Sequence, residues 1–216
     1  MTSTGLKWIA VFSMVVDHGT LAFLPQTSVL YVIGRIIGRL AFPIYAFLIV
    51  EGYAHTRDWK RYLRDLLILA VVSELPFDLF VGESLWYPRA QNVVWTLALG
   101  LIGIAFGEQL RMSGWDNLRW MPYAGVCLAA WFLQADYGLE GTALILAFWL
   151  WRGSNHWWIW PGVLMAAMGG IGIFALGSLP IIGAYHGEKG AGVPKYLFYG
   201  IYPVHLLLFG VLVWLR

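Results

Sequence analysis

The chain has 216 residues, 60% of them hydrophobic and only 12% charged, with a mean hydropathy of +0.68 and a formal net charge of +2. Soluble domains carry about 25% charged residues, so composition excludes an ordinary soluble protein, and so small a positive charge gives no footing for nucleic acid. A single cysteine, Cys127, excludes an intrachain disulfide.

These bounds point to an all-α fold: a polytopic transmembrane helical bundle of about eight membrane helices, forming one domain over residues 1–216. A spanning helix needs about 20 mostly apolar residues. The first such stretch, 6–24, carries Asp17 and His18 in its interior. One basic residue precedes it and no small-x-small cleavage site follows Phe23, so it reads as a retained span rather than a signal peptide. Lys7 and His18 are eleven residues apart. That spacing returns to nearly the same helical face after a rise of about 16 Å. A cation at the membrane surface and an imidazole at depth suit a long substrate with an anionic head and a reactive tail, such as acyl-CoA. The alternative is a snorkelling lysine anchor and an interior histidine satisfied by its neighbours.

The second stretch, 29–53, contains Arg35 and Arg39 on one helical face, followed by Glu51 and His55 at the same i, i+4 spacing. Adjacent helical side chains diverge by about 100°, so Asp17 is better placed to pair with Arg35 or Arg39 than with His18. The arginines then serve either as ion-pair partners or as stabilisers of an oxyanion. The third stretch, 62–81, carries Glu74 and Asp78 around Pro76, and the fourth, 92–110, opens on Asn92. Two shorter runs, 122–133 and 141–151, form either two short tilted helices or one re-entrant hairpin. Spans at 157–176 and 197–215 complete the set, the last holding His205 beside Tyr199, Tyr202 and Pro203. Each charge near the bilayer centre costs about 2.5–3.5 kcal/mol on translocon scales, so this recurring set of ionisable residues marks a site. His18, His205 and Glu74 also admit a metal-site reading.

Many of the 13 tryptophans lie where apolar runs meet polar loops, among them Trp8, Trp59, Trp120, Trp151, Trp157, Trp158 and Trp214, as in an interfacial belt. With the N-terminus in the cytoplasm, the inner segments hold Lys7, Arg57, Lys60, Arg61, Arg64, Arg111, Arg119, Arg152 and Arg216. The outer loops then hold only Arg89, Lys189 and Lys195. The positive-inside rule thus places both termini in the cytoplasm. No soluble domain, repeat or nucleotide-binding motif is present, so the activity belongs to the membrane.

Several ordered strings resemble the TraX family. They are Leu6-Lys7-Trp8-Ile9-Ala10 with Asp17-His18; Gly38-Arg39-Leu40-Ala41-Phe42-Pro43 running to Glu51-Gly52-Tyr53 and His55-Thr56; Ser73-Glu74-Leu75-Pro76-Phe77-Asp78; Gln91-Asn92-Val93; and Phe198-Tyr199 with Tyr202-Pro203 and His205. The resemblance implies a bacterial inner-membrane protein, and the family's founding member is associated with N-terminal acetylation of conjugative pilin. The Lys7–His18 spacing also resembles the Arg/Lys-x10-His motif of acyltransferase-3 enzymes. Their Arg-x-x-Arg pair is absent here, with Arg35-x-x-x-Arg39 the nearest feature. These resemblances imply an acetyltransferase using acetyl-CoA as acyl donor, with Lys7, Arg35, Arg39 and Asn92 handling the donor or oxyanion. His18 is then the general base, supported by Asp17, Glu74 and His205. Direct transfer and an acetyl-histidine intermediate both remain open. The acceptor is a pilin or other peptide amine, or a glycan hydroxyl, met at the outer face among membrane lipids. Two competing readings are a proton-coupled small-solute transporter and a structural subunit of a pilus or secretion assembly.

Overall fold

A computed structural model describes residues 1–216, and every regular element in it is helical. In chain order these are α1 (Ser3–Phe23), α2 (Val29–Gly38), α3 (Ala41–His55), α4 (Trp59–Gly82), α5 (Val93–Met112), α6 (Trp120–Phe132), α7 (Gly138–Leu150), α8 (Ile159–Ala167), α9 (Ser178–Gly183) and α10 (Lys195–Trp214), with short 3-10 segments at Asp116–Leu118 and Gly170–Gly177. Four apolar helical stretches are long enough to cross a membrane: Ser3–Phe23, Val29–His55, Val93–Met112 and Lys195–Trp214.

Local chemistry sets the boundaries. Thr2, Ser28 and Asn92 cap α1, α2 and α5 by accepting the backbone N–H of Gly5, Leu30 and Val94, each cap contributing about 0.5–2 kcal/mol. Leu24, before Pro25, is forced into extended backbone and ends α1. The expected span 29–53 is interrupted at Arg39–Leu40. There α2 closes in tight turns, and Pro43 falls in the first turn of α3, where its missing N–H leaves no helical bond unmade. The two short runs form separate helices, α6 and α7.

The chain divides into two compact units. One comprises Ile49–Val71 and Pro88–Leu164. Within it Gly100, Gly103 and Gly107 line α5, where a Cβ would press on Ile145, Val126 and Tyr123. Small residues at this spacing let α6 and α7 approach closely, as membrane helices do. Glu51 accepts Arg152 Nε at 2.7 Å and lies 3.7 Å from His55, giving that pair a structural role.

The other unit comprises Met1–Leu48, Val72–Tyr87 and Met165–Arg216. Its polar groups turn inward while Val29, Leu30, Val32 and Ile33 of α2 and Val204 and Leu208 of α10 face outward. This inversion suits a lipid-facing surface rather than a watery one. The expected span 157–176 does not form. Gly169 and Gly170 adopt positive φ, open to glycine without strain. The chain doubles back there, bringing Ser178 Oγ within 3.8 Å of Met165 Sδ.

That reversal corrects the expected topology. Trp8 meets Phe198, His18 meets His205 and Phe23 meets Phe209. At the far end Arg216 donates to the Ala22 carbonyl at 3.1 Å. Numbers rise together along α1 and α10, so the two helices are parallel. If both cross a membrane, the two termini emerge on opposite faces, not together in the cytoplasm. The loop holding Lys189 joins the start of α1, since Ser3 and Thr4 N–H donate to the Glu188 and Lys189 carbonyls. Lys189 and Lys195 therefore share an end with Lys7, and moving them there sharpens the charge asymmetry. Reporter fusions should accordingly place the N-terminus and C-terminus on opposite faces of the membrane. The same face for both would contradict the parallel pairing.

Candidate functional site

On α1, Asp17 and His18 turn to different partners, as the divergence of adjacent helical side chains requires. Asp17 faces α2. Its Oδ2 accepts from Arg35 Nη1 at 2.7 Å and Arg39 Nη2 at 3.2 Å, and Arg39 also lies 3.4 Å from Oδ1. The carboxylate is buried and the two guanidinium groups half-buried, leaving the trio one positive charge in excess.

The close approach that makes this clamp possible comes from Gly34 and Gly38. A Cβ at Gly34 would overlap Thr20, and one at Gly38 would overlap the Asp17 carboxylate. The string Gly34-Arg35-Ile36-Ile37-Gly38-Arg39 thus pairs each contact glycine with an arginine directly after it. Gly34 and Gly38 form a small-xxx-small motif, the sequence signal for this close approach of α2 to α1. Gly38→Ala should displace Asp17 and lower stability by about 3 kcal/mol or more, the scale of a broken buried ion pair. Gly200→Ala on α10, where a Cβ meets nothing within 4 Å, is the control. Thermal melts in detergent compare them, and an equal response at the two positions would refute the close-approach argument.

His18 faces α10. Its Nδ1 lies 2.7 Å from His205 Nε2, and His205 Nδ1 lies 2.7 Å from the Ile201 carbonyl oxygen. The rings are within 7° of parallel. Stacked rings would keep their atoms about 3.5 Å apart, so a 2.7 Å contact means that the imidazoles meet edge to edge in nearly one plane. The hydrogen positions follow from what each atom can do. A carbonyl only accepts, so His205 Nδ1 carries a hydrogen. In the uncharged pair His205 Nε2 is then the acceptor and His18 Nδ1 the donor. His18 Nε2 is left with its lone pair. Phe80, 5.4 Å from His18 between ring centres, and Phe209, 5.8 Å from His205, pack around the pair.

The structure thus brings together His18, His205, Asp17, Arg35 and Arg39. Lys7 sits eleven residues below His18 on α1, its ammonium 5.5 Å from the centre of the Phe198 ring. Glu74 is half-buried on α4 in the same unit, whereas Asp78 is almost fully buried and faces the Tyr87 backbone N–H. Phe80, unsuspected from sequence, is an α4 side chain that reaches His18. Asn92 belongs to the other unit. Its Nδ2 donates to the Ala70 carbonyl at 2.8 Å and its Oδ1 caps α5, an architectural use of both ends of the amide. No group of three His, Cys, Asp or Glu side chains is arranged to hold a metal ion. The two imidazole nitrogens meet more closely than two ligands each about 2.0 Å from one tetrahedral zinc would.

A family model described as TraX protein matches residues 3–213. A probable fimbrial assembly protein FimC, serogroup H1, of Dichelobacter nodosus is 32% identical over 232 aligned positions, which cover 94% of this chain and 92% of the relative. No solved structure matches.

Proposed function

The chain belongs to the TraX family, and on that footing we propose that it is a membrane-embedded acetyltransferase, moving an acetyl group from cytosolic acetyl-CoA to an acceptor at the outer face of the bacterial inner membrane. The observation that carries this reading is the hydrogen-bonded line from the Ile201 carbonyl through His205 to His18. It holds His18 in the tautomer whose Nε2 is a base. The fimbrial relative favours a pilin N-terminal amine as acceptor, with other peptide amines or a glycan hydroxyl as further substrates of the same chemistry.

Acetyl-CoA enters from the end that holds Lys7, its phosphates outside and its thioester drawn up beside α1. The nitrogen or oxygen of the acceptor attacks the thioester carbonyl while His18 Nε2 takes its proton. The positive charge gained by His18 is shared with His205 through the bond between them. The diarginine clamp of α2 holds Asp17, the residue before His18 on α1, and its surplus positive charge stabilises the negative tetrahedral oxygen. Collapse breaks the carbon–sulfur bond, and the proton held by His18 passes to the departing thiolate. The products are the acetylated acceptor and CoA.

The clustering of Lys7, Lys189 and Lys195 at one end supports a cytoplasmic position for that end under the positive-inside rule, with the C-terminus on the outer side. Mass spectrometry of surface and membrane species from cells with and without the gene tests the proposal. An acetylated species that disappears with the gene and returns with the wild-type chain, but not with His18→Ala, is the expected result. An unchanged acetylation profile would overturn the proposal.

A further inference from the structure

The sequence 187–195, Gly-Glu-Lys-Gly-Ala-Gly-Val-Pro-Lys, has no part in the site around His18, yet the structure ties it to the helix bearing that residue. Glu188, Lys189 and Ala191 turn their carbonyls toward the start of α1. Ser3 N–H donates to Glu188 at 2.8 Å, Thr4 N–H to Lys189 at 3.2 Å, and Thr4 Oγ1 to Lys189 and Ala191. In a planar trans peptide the N–H points opposite to its carbonyl. The N–H groups of Lys189, Gly190 and Gly192 are therefore aimed away from α1. No backbone N–H from Gly187 to Gly192 has an acceptor within the protein, and the whole stretch is exposed. Positive φ at Gly187 and Gly190 curves the loop, and a Cβ at Gly190 would overlap Thr2.

Two ammonium groups, of Lys7 and Lys189, come together at this loop from two elements, and Lys195 stands at its end. Lys189 lies on the loop itself and close enough to Lys7 of α1 for mutual repulsion. Lys195 opens α10, three residues before the Phe198 ring that carries the Lys7 ammonium. Neither Lys7 nor Lys189 has a carboxylate within salt-bridge distance. Glu188 is the single acidic side chain of the loop and is exposed. The like charges of Lys7 and Lys189, without a carboxylate partner and beside outward-turned backbone N–H groups, suit a multiply charged anion.

We infer that the 187–195 loop, with Lys7, is a phosphate-binding site that holds the phosphate groups of the acyl-CoA donor. This rests on the acetyl-CoA reading and adds Lys189, Lys195 and the backbone of a glycine-rich loop to the donor site. The placement is chemically economical, since a rise of about 16 Å along α1 separates Lys7 from His18. A ligand anchored by its phosphates at the loop can extend its acyl end along the helix toward the imidazole.

The test uses the full-length protein in lipid nanodiscs, titrated calorimetrically with CoA and with adenosine 3′,5′-bisphosphate. Wild type should bind both, more weakly as salt rises. Lys189→Ala with Lys195→Ala should weaken both by roughly tenfold or more, while Lys189→Arg with Lys195→Arg retains most of the affinity and both variants keep the wild-type melting temperature. Equal affinity in the alanine variant overturns the loop assignment and leaves the acetyltransferase reading intact. Failure of folded wild type to bind CoA overturns the reading itself. Nanodiscs with and without phosphatidylglycerol distinguish the sources of phosphate. Affinity for the bisphosphate in neutral lipid supports the donor site, and a loop that retains only anionic lipid contradicts it.

Discussion

Replacing His18 with alanine is expected to reduce acetyl transfer by about 10²–10⁴-fold, the range for removing a general base, without unfolding the protein. His18 is joined to the rest of the unit through one hydrogen bond to His205 and its packing on Phe80, so its loss removes the base and little else. His205 should behave differently. In the proposed mechanism it acts through His18 as a positioning residue, and its own Nδ1–H is spent on the Ile201 carbonyl. His205→Ala leaves the His18 Nδ1–H without its acceptor and should lower kcat while leaving the KM for acetyl-CoA near its wild-type value. His205→Gln restores a carbonyl oxygen able to accept and should recover part of the rate. Steady-state kinetics on the four proteins reads these effects. Equal activity of wild type and His18→Ala would remove His18 from the chemistry.

The second large effect concerns stability. Asp17→Ala should cost about 3–5 kcal/mol, because it strands two guanidinium groups inside the protein with their counter-charge gone. Arg35 and Arg39 converge on that one carboxylate. The penalty should fall when the cations are removed with it. Asp17→Ala combined with Arg35→Leu and Arg39→Leu is expected to melt well above Asp17→Ala alone, since apolar replacements of a buried ionic group are often neutral or stabilising. On the proposed mechanism the same triple variant should transfer no acetyl group, because the charge assigned to the tetrahedral oxygen is gone. Thermal melts beside activity separate the two roles. A triple variant as unstable as Asp17→Ala would show that the clamp is not the source of the loss. Three hydrogen bonds on one carboxylate also suit a fixed scaffold better than a proton pathway, which needs a carboxylate that exchanges partners.

Much of this was legible because membrane helices write themselves in composition. α1, α5 and α10 fall within a few residues of the stretches read from hydropathy. The partnership of Asp17 with Arg35 and Arg39 follows from two rules of helical spacing, adjacent residues diverging and i, i+4 residues sharing a face. The reversal at Gly169 and Gly170 was not legible. A stretch such as 157–176 has the same hydropathy whether it crosses or turns back, and only backbone conformation distinguishes the two. With 157–176 turning back on itself, α10 runs parallel to α1, and Lys189 and Lys195 lie at the Lys7 end. The direct bond between His18 and His205 was hidden for a related reason. Similar depth could be read from sequence, but the rotation of α10 that aims one imidazole at the other depends on packing between helices.

The most direct measurement is isotopic. Purified protein in nanodiscs is given isotopically labelled acetyl-CoA and a peptide bearing a pilin N-terminus, and the peptide is examined by mass spectrometry. Acetyl transfer through His18 requires label on the peptide amine with wild type and none above background with His18→Ala. Label appearing equally with both proteins, or on no acceptor while a small solute crosses proteoliposomes without acetyl-CoA, would contradict it.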